Sequence, residues 1–101
     1  MSNHTVTVIF KAKPTKIDEM KRAIDGVYAK SLKENGAIEY RWYQSHLEAA
    51  HFLLFMTWEN EAAFKAHVAS EHVKDAELLL KDILEGGAPE LYWDLCNPQV
   101  D

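Results

Sequence analysis

Apolar and polar positions alternate over residues 6–13, with Val6, Val8 and Phe10 on one face and Thr5, Thr7 and Ile9 on the other, which predicts a first strand. Pro14 ends it. Thr15, with Asp18 three positions on, has the form of a capping box that opens a helix running to about Lys33. Ile17, Met20, Ile24, Val27, Tyr28 and Leu32 repeat at the three-and-four spacing of one buried stripe, and the "ENG" of Glu34 to Gly36 stops the helix. Residues 37–44 and 51–58 read as two strands joined by the polar "SHLEA", a hairpin. Asn60 then caps a short helix from Glu61 to about Ala69. Ser70 caps a second helix carrying Val73, Ala76, Leu79, Leu80, Ile83 and Leu84. "GGAP" breaks that helix, and residues 89–97 alternate as a closing strand, which gives the order β, α, β, β, α, β.

The two central strands are apolar on both sides. Tyr40 and Trp42 share one face of the first; Phe52, Leu54, Met56 and Trp58 share one face of the second, with Leu53 and Phe55 opposite. A strand of this kind needs cover on both faces, so helices on one side and a second sheet on the other is the economical arrangement. In so short a chain the second sheet has to come from another copy.

Composition narrows the class. At 101 residues there is room for one domain, 1–101, and 48% hydrophobic with 27% charged residues is a globular composition. A net charge of −5 with dispersed Lys and Arg gives no footprint for nucleic acid or an anionic membrane. No segment approaches the roughly 20 apolar residues of a membrane span, and the start of the chain lacks a secretory pattern. With the single Cys96, which forms no internal disulfide, this predicts a cytoplasmic protein.

The candidate chemistry lies in "WENEAAFKAHVASEHV", residues 58–73. His67 shares a helix face with Phe64 and Val68 and should point at the sheet. One reading is a core histidine satisfied by one hydrogen bond; the other is a neutral imidazole in an apolar pocket, able to take a proton near physiological pH. His72 follows the Ser70 cap in the first helical turn, where the positive end of the helix dipole disfavours its protonated form; the alternative is a solvent-facing cap residue. A metal is not expected. Histidines that chelate from one helix face are three or four apart, whereas His67 and His72, like His46 and His51, are five apart. There is no Cys-x-x-Cys and no glycine-rich phosphate loop, and Cys96 lacks a basic neighbour and reads as structural filler. The aromatic group of Tyr28, Tyr40, Trp42, Phe55, Trp58 and Phe64 is either plain core or the lining of a cavity for a flat hydrophobic ring system.

Trp58, Glu59 and Asn60, Glu61 and Ala62, Phe64, His67, and Ser70 with His72, preceded by Gly36 and Tyr40 in a Gly-x-x-x-Tyr pattern, resemble the signature of the antibiotic biosynthesis monooxygenase domain, which includes bacterial quinol monooxygenases. The resemblance spans nearly the whole chain. It implies an α+β, ferredoxin-like βαββαβ sandwich whose homodimer, joined through the sheet faces, forms an α/β-barrel. It further implies cofactor-independent insertion of oxygen from dioxygen into a quinol or polycyclic phenol. In that setting His67 and then His72 are the candidate catalytic groups, with Thr7, Tyr40, Trp42, Phe55, Trp58 and Phe64 as candidate substrate-binding residues. The alternatives are a small-molecule isomerase of the same family or a catalytically inactive dimeric binding or stress-related domain.

Two departures stand out. Many members carry a glutamate two residues before the tryptophan, where this chain has Met56. Haem-degrading relatives use an Asn, a Trp and a His where this chain has Thr7, His67 and Glu77.

Overall fold

The computed structural model describes residues 3–99. Its strands are β1 (His4–Lys11), β2 (Ala37–Gln44), β3 (His51–Trp58) and β4 (Leu91–Leu95), and its helices are α1 (Ile17–Ser31), α2 (Glu61–Val68) and α3 (Glu71–Ile83). Short 3-10 turns at Pro14–Lys16 and Glu85–Gly87 carry the chain into α1 and out of α3. All three pairings are antiparallel and the sheet order is β2-β3-β1-β4, the α+β ferredoxin-like arrangement.

Strand parity sorts the two faces. Val6, Val8 and Phe10 of β1 and Phe52, Leu54, Met56 and Trp58 of β3 are all buried beneath the helices, where Met20 and Ile24 of α1 and Ala76 and Ile83 of α3 meet them. The opposite face carries Thr5, Thr7 and Ile9, paired on one side with Thr57, Phe55 and Leu53 and on the other with Leu95, Trp93 and Leu91. Among the described residues no helix covers it, and Trp93, Leu91 and Leu95 remain 50, 40 and 42% exposed.

The limits of β2 and β3 are those the alternation predicts; the caps differ. Thr15 lies in the 3-10 turn, and the residue before α1 is Lys16, which makes no side-chain cap bond, because Pro14 starts a tight turn where a capping box would need an extended residue. Asn60 does cap α2, its Oδ1 accepting from the Ala63 amide at 2.8 Å. Ser70 precedes α3 without a side-chain cap bond; its hydroxyl donates back to the His67 carbonyl at 2.6 Å and so closes α2 instead. Leu32 and Leu79 are exposed, and Ser31 takes the buried place at the end of the α1 stripe. Leu84 is buried beyond the end of α3. Cys96 lies past the end of β4 and is exposed, so it is not core filler.

One glycine sets the distance between β2 and α2. Gly36 has φ 84°, and a Cβ there would come within 2.6 Å of the Ala63 Cβ and 3.0 Å of the Glu59 Cγ. Its carbonyl accepts from the Glu59 amide at 2.8 Å, which fixes the approach. Gly36→Ala adds left-handed backbone strain of about 1–2 kcal/mol to a steric overlap. Thermal unfolding should therefore fall by at least about 5 °C in a domain of this size, and an unchanged melting temperature would contradict this account.

Candidate functional site

Between the helices and the covered sheet face lies a cavity of about 680 Å³. Its sheet wall is Val6, Val8, Phe10, Tyr40, Leu54 and Met56, and its helical walls include Met20, Ile24, Phe64, His67, Val73 and Leu80. Lys65, Lys74, Glu77 and Lys81 also line it, and all four are exposed, which puts charge at the mouth. The buried polar side chains among the lining residues are those of Tyr40 and His67. A volume of this order suits a small organic ligand.

α2 brings His67 in because the Asn60 cap fixes where the helix starts, and position 67 then turns toward the sheet two turns later. The residue as a whole is 3% exposed. Its ring lies 4.5 Å from that of Trp58, 5.7 Å edge-on to Tyr40 and 6.5 Å from Phe64, measured between centroids. A polar ring in such surroundings needs a partner, and Glu34 supplies one: its Oε2 lies 2.6 Å from His67 Nδ1. A carboxylate only accepts, so in the neutral ring the proton sits on Nδ1 and Nε2 keeps its lone pair.

The same Glu34 oxygen lies 3.4 Å from His72 Nε2. Ser70 Oγ is 3.3 Å from that nitrogen, and its one proton goes to the His67 carbonyl, so the serine oxygen accepts from His72. Glu34, His67 and His72 thus form one cluster, with their ligand-type atoms all within 4.8 Å of one another. The five-residue spacing that argues against chelation applies to a single helix. Here the chain turns between α2 and α3, so the two rings approach from different helices, 6.1 Å apart.

Burial pushes the His67 pKa down, because an imidazolium is costly in an apolar site; Glu34 opposes that shift and His72 adds to it. Burial likewise pushes the Tyr40 hydroxyl up to about 12, so it stays protonated and able to donate.

The predicted site residues divide. Tyr40, Phe64 and His67 line the cavity. Trp58 is fully buried behind His67, and Trp42 packs at 6.2 Å against Phe52, so neither forms part of the lining. Thr7 and Phe55 pair with each other on the opposite face of the sheet, because their strand parity is that of Ile9 and Leu53 rather than of Val8 and Leu54. His72 touches the cavity only through the cluster. Glu34 is the residue that sequence reasoning misses. Within "ENG" it reads as part of a helix stop, and the remaining cue is a carboxylate two positions before a glycine that must pack against the histidine helix.

The antibiotic biosynthesis monooxygenase family model matches residues 3–77. None of the curated proteins matches this chain. Among solved structures, a Pseudomonas aeruginosa protein superposes with a TM-score of 0.88 at 20% identity, covering 96% of this chain and 95% of its own. A conserved Methanosarcina mazei protein superposes with a TM-score of 0.83 at 26% identity, over 92% of each chain. A Nitrosomonas europaea protein, whose name provisionally assigns it to the antibiotic biosynthesis monooxygenases, does so at 0.83 and 18% identity, over 94% of this chain and 88% of its own.

The Glu34 contact has a signed consequence. The His67 imidazole should titrate below the ordinary 6.5, and Glu34→Gln should move it lower still, because it removes the interaction that favours the cation. Histidine NMR titration measures both; a higher value in the variant would mean that Glu34 does not govern this ring.

Proposed function

The chain belongs to the antibiotic biosynthesis monooxygenase family, and from that membership we propose that it inserts one atom of dioxygen into a quinol or polycyclic phenol held between sheet and helices. The observation that carries this reading is the cavity's division of labour: an apolar wall that takes a flat ring, and two buried polar groups, Tyr40 and His67, to address its oxygens.

In this reading His67 Nε2 takes a phenolic proton while Nδ1–H stays on Glu34, which steadies the imidazolium formed. The electron-rich ring then supplies the electrons itself. Dioxygen forms a bond to a ring carbon, and the resulting hydroperoxide loses water. One oxygen atom stays as a new carbonyl, the other leaves in the water, and the quinol becomes a hydroxyquinone. The protonated Tyr40 donates to the substrate oxygen, where negative charge builds after deprotonation. Apolar walls keep bulk water from the reactive intermediate.

Oxygen uptake with a panel of quinols that includes menadiol, read above the autoxidation control, tests the reaction. His67→Gln should lower kcat by about 10²–10⁴-fold, the usual share of a general base, with the fold retained by circular dichroism. No uptake above the control with any quinol removes the reading.

The uncovered sheet face supports a homodimer. Leu91, Trp93 and Leu95, with Ile9, Leu53 and Phe55 beside them, make an apolar surface of the kind that a two-fold pair buries against itself. Sedimentation should give a dimer for the native chain and a monomer for Trp93→Asp; a native monomer at micromolar concentration would contradict it.

A further inference from the structure

The Glu34, His67 and His72 cluster has a second capability. From its geometry we infer that these three residues form a site for a divalent transition ion of the zinc type, alternative to the hydrogen-bonded state and reached with small side-chain shifts.

Two imidazole nitrogens and one carboxylate are a donor set that zinc takes readily, with a fourth position left open. At bond lengths near 2.0–2.1 Å, tetrahedral ligands stand about 3.3 Å apart. The Glu34 to His72 separation is already 3.4 Å and the Glu34 to His67 separation is 2.6 Å. The remaining separation is within 4.8 Å. The first needs no change, the second opens by about 0.7 Å, and the third closes by at most about 1.5 Å. Rotations of the Glu34 and His72 side chains, both partly exposed, are enough for that, while His67 stays fixed by Trp58, Tyr40 and Phe64. Enclosure argues for zinc over six-coordinate ions. Side-chain exposures of 4, 19 and 16% at His67, Glu34 and His72 leave little room for the several waters that an octahedral ion would hold.

Occupancy would change what His67 does. With Glu34 on Nδ1, the Nε2 lone pair is free. With a metal on Nδ1, the neutral ring carries its proton on Nε2, which turns an acceptor into a donor. The ion would thus compete with the base role, a consequence that rests on the function proposed above; the site itself rests on geometry alone.

Cobalt(II) is the probe, because four-coordinate cobalt absorbs strongly in the visible where the hexaaquo ion does not. Chelator-treated protein should bind one cobalt per chain with that spectrum, and zinc should displace it. Glu34→Gln and His72→Ala should each weaken binding by at least about tenfold to 100-fold, and His46→Ala, in the exposed hairpin loop, should leave it unchanged. In the unmodified protein, zinc should shift the NMR signals of the His67 and His72 imidazoles, a reading that needs no variant to fold. Absence of the cobalt spectrum, binding that survives both ligand variants, or zinc leaving both imidazoles unmoved would overturn the site. Saturating zinc should also inhibit quinol oxidation. If turnover persists while the cobalt signal is intact, the site stands and His67 is not the base.

Discussion

The contact on which the rest of the site depends is the 2.6 Å hydrogen bond between Glu34 and His67. An imidazole enclosed by Trp58, Tyr40 and Phe64 cannot remain there with both nitrogens unpaired, since a buried donor without a partner costs about 1–3 kcal/mol. Glu34 removes that cost and chooses the tautomer at the same time. Its own position depends on Gly36, whose left-handed backbone and missing side chain let the start of β2 lie against α2. A single glycine thus connects backbone conformation to the protonation of a ring on another element.

The sheet imposes the second constraint. Because side chains alternate, the same strands that wall the cavity with Val6, Leu54 and Met56 must present Thr7, Leu53 and Phe55 to the other side. Helices α1 and α3 cover one face, and none of the described residues covers the other. Cavity and open face are two consequences of one pleat.

Period-two and helical patterning made the element order and the limits of β2 and β3 legible, as well as the direction in which His67 points. The parity rule also contained the information that Thr7 and Phe55 face away from the cavity, since Val6, Val8 and Phe10 share the helical side; the family resemblance pulled Thr7 toward the site, and grouping the aromatic residues without regard to strand parity pulled Phe55 there. Capping was legible at Asn60 and misleading at Thr15 and Ser70, because a hydroxyl has several local partners and its sequence position does not say which one it takes. The cluster was not legible. Glu34 is 33 residues from His67, and the turn between α2 and α3 that brings His72 close leaves only a weak mark in the sequence.

The departure at Met56 now has a structural reading. Where many family members place a glutamate on the strand, this chain has a thioether in the cavity wall, and the acid adjoining the histidine comes from the turn after α1. A carboxylate on the strand would stand among the lining side chains. Glu34 instead meets the far nitrogen of the ring and lies outside the lining. Its charge therefore acts through His67, setting which nitrogen is free and how strongly it holds a proton. The apolar wall remains intact, and the buried polar chemistry of the cavity is concentrated on one imidazole and one phenol.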